Sequence, residues 1–138
     1  MSKIQEFLKN QEKSVMSTVE GKTIIDYFNN NAEEVPEYPA LNTPINSEYT
    51  GWDSVSWSAY RETVHNLASG LIDIGLQADD NAYIVANNVK EHFICDLGIM
   101  HAGAVPSTIY KQLKSGQIEY ISNLLEAKVA FVGDAELQ

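Results

Sequence analysis

From His92 to Tyr110 the chain reads HFICDLGIMHAGAVPSTIY, an apolar helical stretch that passes into an apolar extended one with only Gly103 between them. A junction this short leaves a buried helix and a buried strand no room to separate, so the surrounding chain must pack around it. On the near side, NAYIVANN (Asn81 to Asn88) has the β-branched and aromatic content of a strand. On the far side, SGQIEYISNLLEAKVAFVG (Ser115 to Gly133) reads as helix and then strand. The period switches repeatedly between helical and extended, which specifies a parallel βαβαβ unit and an α/β fold class.

The rest of the chain leads up to that unit. Residues 1–22 form a polar N-terminal arm in which Ile4, Phe7 and Leu8 stand at helical spacing, and it reads as an amphipathic turn or two followed by a linker. Residues 23–138 form the α/β segment. Thr23, with Asp26 three residues on, opens a helix with a shortened capping box, and this helix fades by Glu34. Pro36, Pro39 and Pro44 exclude a long helix in the next stretch. Ala40 to Thr43 is a short strand there, and it pairs as a hairpin with the alternating WDSVSW at Trp52 to Trp57. Ser58 is the expected N-cap of the clearest helix, whose Tyr60, Val64, Leu67, Leu71 and Ile74 make one stripe ending at Gly75. That stripe predicts a helix lying on a sheet. Ser115 is the expected cap of the last helix, with Ile118, Ile121, Leu124 and Leu125 on one face. Pro106 marks an irregularity or a ladder end in the strand at Ala104 to Ile109.

At 138 residues the chain is long enough for one domain and a real core, with about 70% of the unfolded surface buried on folding. No apolar run reaches the roughly 20 residues that cross a bilayer. Nineteen acidic against nine basic residues give a net charge of −10, and Arg61 is the only arginine, so no nucleic-acid partner is expected. The single Cys95 excludes an internal disulfide, and the N-terminus has no basic segment followed by an apolar one. Both favour a cytoplasmic setting, with peripheral membrane contact left open.

The residues alone assign no chemistry. His92, Cys95 and Asp96 share a helical face, but a structural zinc site takes four ligands in paired spacings that do not occur here. Cys95 reads as a small core residue. Ser107 has no neighbouring histidine in sequence and no GxSxG elbow around it, although His101 is a distant candidate. Neither GxxxxGK[ST] nor GxGxxG is present, and ANNVKEH after the Tyr83 strand reads as a capped surface turn. No catalytic, cofactor-binding or metal-ligating residue is assigned.

Five ordered blocks carry a family resemblance. Ser56 to Tyr60, Gly70 to Leu76, Asp80 to Phe93, Asp96 to Tyr110 and Ala127 to Val132 are similar to the TWxEY, GLxxLGV, GDxVAIxxxNxxEW, DxAxxxAGAVxVPIY and AKVVFV stretches of the acyl-adenylate-forming (AMP-binding) enzymes, most closely the long-chain fatty acid CoA ligases. The resemblance runs from about Thr23 to Val132. Departures are Asp79-Asp80-Asn81 for Gly-Asp-Arg or Gly-Asp-Lys, Lys90 for a common Pro, His92 in place of the aromatic of its motif or shifting it to Phe93, and Ser107-Thr108 in place of Val-Pro.

The resemblance implies the large N-terminal domain of that superfamily, here an incomplete fold. It also implies a two-step reaction: a carboxylate attacks Mg-ATP to give an acyl-adenylate and pyrophosphate, and coenzyme A then displaces AMP. The family's Lys-ended Ser/Thr/Gly-rich loop, adenine motif, ribose-binding Asp and C-terminal Lys have no counterpart in these 138 residues. The chain is therefore expected to be a truncated fragment, inactive alone, whose parent meets fatty acid, ATP, Mg and coenzyme A through the missing part. The uncovered apolar helix at Phe93 to Met100 and an open sheet edge predict a homo-oligomer. Two other readings fit the same pattern, a stand-alone flavodoxin-like binding domain and an oligomerisation module.

Overall fold

In the computed structural model, which describes residues 2–133, five helices and five strands follow in the order α1 (Lys3–Val19), α2 (Ile24–Glu34), β1 (Pro39–Pro44), β2 (Trp52–Ser56), α3 (Trp57–Asp73), β3 (Asn81–Val85), α4 (Lys90–His101), β4 (Val105–Thr108), α5 (Ser115–Leu125) and β5 (Val129–Val132). β1 and β2 form the expected antiparallel hairpin. β3, β4 and β5 form a parallel sheet in the order β4-β3-β5. The strands expected from Tyr83, Ala104 and Lys128 thus lie side by side.

Caps explain where the helices begin. Thr23 and Asp26 close the box read from sequence: the Thr23 N–H donates to Asp26 Oδ2 at 2.6 Å, and the Asp26 N–H donates to Thr23 Oγ1 at 3.4 Å. The Thr23 N–H and the Thr23 hydroxyl, which donates to Asp26 Oδ2 at 2.8 Å, hold the Asp26 carboxyl below its ordinary value. Residues 3–19 are one 17-residue helix rather than a turn or two. Ser2 and Gln5 cap each other's backbone at its start, and no Gly or Pro interrupts it. Ser56, not Ser58, caps α3, accepting from the Ala59 N–H at 3.3 Å. Ser58 lies inside the first turn, with its hydroxyl 3.0 Å from that of Ser56. Lys114, not Ser115, is the N-cap of α5, and Gln117 Oε1 accepts from its N–H.

The core explains why α4 is apolar on most sides. Ile99 joins Ala68, Leu71, Ala82, Ile84 and Ala104 in one buried cluster, while Leu97 joins Phe28, Tyr60 and Val64 in another. Burying Ile84 or Ile99 is worth about 1.5–3 kcal/mol each. The cover that the sequence reading found lacking for α4 comes mainly from α3. This corrects the expectation for α3 as well: it packs chiefly on α4 and the hairpin, and reaches the sheet's cluster through Ala68 and Leu71. The two helices touch where Gly98 meets Leu67, and a Cβ at residue 98 would lie 2.6 Å from Leu67 Cδ2. Ile74 is exposed, because the stripe ends one turn before it.

Gly103 adopts φ +80, which turns the chain out of α4 at no steric cost. Asp79 N–H donates to Gly103 O, and Val105 N–H donates to Asp80 O, which locks β4 beside β3. Pro106 sits on this outer strand. Val105 directs its N–H to Asp80 O, just before β3, and Ile109 directs its own to Ile84 O within β3, so position 106 faces the open side, where a missing donor breaks no bond.

Candidate functional site

The order β4-β3-β5 requires two crossovers in opposite directions: β3 to β4 through α4, and β4 back past β3 to β5 through α5. Right-handed crossovers of opposite direction set the two helices on opposite faces of the sheet. The loops leaving the carboxyl ends of β3 and β4 therefore diverge, and a crevice opens between them. Ligands of open α/β sheets bind in crevices outside the carboxyl ends of the strands.

A cleft of about 410 Å³ occupies this place, lined by Asn87, Asn88, His92, Thr108, Tyr110 and Lys111 among others. Asn87 and Asn88 follow β3, His92 comes from the first turn of α4, Thr108 ends β4, and Tyr110 and Lys111 begin the turn toward α5. His92 Nε2 lies 3.1 Å from Thr108 Oγ1, a hydrogen bond that ties the two walls together. Val89 caps α4 with no side-chain acceptor, so no carboxylate of the cap competes with a bound anion. Lys90 is committed elsewhere: its Nζ is 2.6 Å from Asp53 Oδ2, which anchors the start of α4 to the hairpin and raises the lysine pKa. Lys111 forms no ion pair among the described residues and is the cation available to the cleft. The arrangement offers neutral hydrogen-bonding groups and one positive charge, a set suited to a polar or anionic group.

The residues weighed from sequence are dispersed. His92 and Cys95 line a slot with Ile84, Phe131 and Gly133, whereas Asp96 lines a different one beside Tyr60. Among the described residues no three His, Cys, Asp or Glu side chains gather for a metal ion. Burial, with Glu91 and Asp96 nearby, raises the Cys95 thiol, which leaves little thiolate for nucleophilic chemistry. His101 donates its Nδ1–H to Leu97 O at 2.8 Å and rests against Phe28 and His65. Ser107 pairs with Tyr83 in the ladder. The turn at ANNVKEH, read as a capped surface turn, is a wall of the cleft. The missed signal was topological: two crossovers from one βαβαβ unit place a crevice there without any glycine motif.

Residues 28–138 match the model of a family described as AMP-binding enzyme. The chain is 29% identical over 129 residues to the long-chain-fatty-acid–CoA ligase heimdall of Drosophila melanogaster, which covers 92% of this chain and 19% of that protein. It is 27% identical to the vibriobactin-specific 2,3-dihydroxybenzoate-AMP ligase of Vibrio cholerae, over 83% of this chain and 20% of that one. The fold superposes on the N-terminal subdomain of Klebsiella oxytoca NpsA with a TM-score of 0.70 at 20% identity, covering 81% of this chain and 28% of that one. The chain thus spans about a fifth of the length of these curated relatives.

Proposed function

This chain belongs to the AMP-binding enzyme family, and from that premise we propose that it is the N-terminal α/β segment of an ATP-dependent acid–CoA ligase whose substrate is a long-chain fatty acid. The observation that carries the reading is that the five family-like blocks fall on consecutive parts of one unit: the start and end of α3, β3 with the start of α4, the α4–β4 junction, and β5. Support for the fatty acid is the 29% identity to the heimdall ligase across most of the chain. The family match leaves the flavodoxin-like reading without support.

In this reading ATP, Mg and coenzyme A serve the parent enzyme, and the cleft between β3 and β4 is where this segment faces an anionic part of a substrate. His92 and Thr108 supply hydrogen bonds there, and Lys111 supplies charge. Cys95 and the charge balance favour the cytoplasm and no nucleic acid. No helix among the described residues is long and apolar enough to cross a membrane. Phe93, half exposed on α4, and the outer edge of β5 support a homo-oligomer.

Two measurements test the reading. The 138-residue chain, given Mg-ATP, coenzyme A and either palmitate or 2,3-dihydroxybenzoate, is expected to release no pyrophosphate; turnover overturns the assignment of the chemistry to residues outside 1–138. Translating the gene past the Gln138 codon is expected to give a Ser/Thr/Gly-rich loop ending in Lys. An unrelated sequence there overturns the ligase reading.

A further inference from the structure

Across α4 from Cys95, the elements α2, β1, α3 and α4 surround a slot of about 300 Å³. Its walls are aromatic: Tyr27 and Phe28 from α2, Trp57 and Tyr60 from the first turn of α3, and Phe93 from α4. The rings fix one another. Phe28 meets Tyr60 edge-on at 5.0 Å and Trp57 at 6.0 Å, and Trp57 lies 6.3 Å from Tyr60.

One acid stands among them, Asp96. It is half-buried, and among the described residues no ion pair or hydrogen bond reaches its carboxylate, on which His92 acts only through its charge at a distance. Burial raises its pKa, and burial together with the Asp96 charge pushes the Tyr60 hydroxyl up to about 12. A carboxylate drawn partly out of water without a partner is unfavourable, and the faces of aromatic rings attract cations. Both features select the same ligand charge. Lys22 already lies over the Tyr27 ring, 5.4 Å from its centroid.

The chemistry narrows the cation further. A calcium or magnesium ion takes six or more oxygen ligands, and the slot offers one carboxylate. A primary ammonium brings three N–H donors and a strongly held hydration shell. A quaternary ammonium has no N–H group to satisfy and gains most from ring faces. We propose that this slot binds a quaternary ammonium group, with Asp96 as its counter-ion and Trp57, Tyr60 and Phe93 as its walls. The proposal is independent of the ligase reading, since neither the cleft nor any adenylation step enters it.

The test uses the whole 138-residue chain carrying Trp52→Phe, which removes the exposed tryptophan on β2 and leaves Trp57 as the emitter. At constant ionic strength, choline is expected to change the emission saturably. Its uncharged isostere 3,3-dimethyl-1-butanol and the primary amine n-butylammonium are each expected to bind more weakly. Asp96→Asn, with its fold checked by thermal unfolding, is expected to weaken choline binding about tenfold or more. Should that variant not fold, Phe93→Leu at the rim replaces it, with an expected loss of about two- to fivefold. Equal binding of choline and the isostere, tighter binding of the primary amine, unchanged affinity in the variant, or no saturable signal would each overturn the proposal.

Discussion

Gly98→Ala places a methyl group where α3 and α4 are closest. Two opposing effects decide the sign. In an unobstructed helix interior the change stabilises by about 1 kcal/mol, because alanine loses less backbone freedom than glycine. Here the new carbon would lie 2.6, 2.9 and 3.2 Å from Leu67 Cδ2, Cγ and Cβ, against about 3.5–4.0 Å for relaxed carbon contacts. Cδ2 and Cγ can move aside only by changing the leucine rotamer within a packed contact, and Cβ moves only with the α3 backbone. Overpacking of this kind costs about 1–3 kcal/mol, so the net loss centres on about 1 kcal/mol. For a domain of this size that lowers Tm by about 4 °C. Urea unfolding followed by circular dichroism measures it, and a double-mutant cycle with Leu67→Ala isolates the contact. With Leu67 shortened, Gly98→Ala is expected to become neutral or stabilising, a coupling of about 1–2 kcal/mol. A stabilising Gly98→Ala in the unaltered background, or additive single effects, would refute the close approach of the two helices.

Three further outcomes follow from other parts of the structure. Ser56→Ala removes the α3 cap and is expected to cost about 1 kcal/mol in urea unfolding, with Ser58→Ala clearly less; the reverse ranking would restore the cap to Ser58. Burial, His101 and Arg61 hold the His65 pKa down. The folded state therefore binds fewer protons there than the unfolded one, and the contribution of His65 to stability is present above about pH 6.5 and is lost as pH falls through the depressed value. Thermal unfolding between pH 8 and 5 is expected to fall less steeply in His65→Gln, and identical slopes would count against this. Phe93→Asp is expected to shift any self-association seen by sedimentation velocity toward monomer, and no change would remove α4 from the contact.

The parallel unit was legible because its signals are local. Gly103 marks the turn, the apolar runs mark β3 to β5, and Thr23 with Asp26 marks the start of α2. Errors arose where two nearby residues offer the same chemistry, as Ser56 and Ser58 do, and where a helix buries no side chain that would reveal it. α1 has no buried residue, so its formation rests on the Ser2–Gln5 cap and an uninterrupted run of helix formers. The α3–α4 contact was illegible, since Gly98 and Leu67 lie 31 residues apart and neither stands out. The cleft escaped for a related reason. His92 and Thr108 come together only through the strand order, which no spacing encodes.

Pro106 gives the sheet an unequal pair of margins. Along β4 the outward amides belong to residues 106 and 108, and the first of them has no hydrogen to offer, so a foreign strand approaching there meets a gap in the template. β5 carries no proline, and its outward row is unbroken from Val129 to Val132. Any lengthening of this sheet, whether by further polypeptide or by a stray neighbour during folding, is thereby directed to the β5 flank.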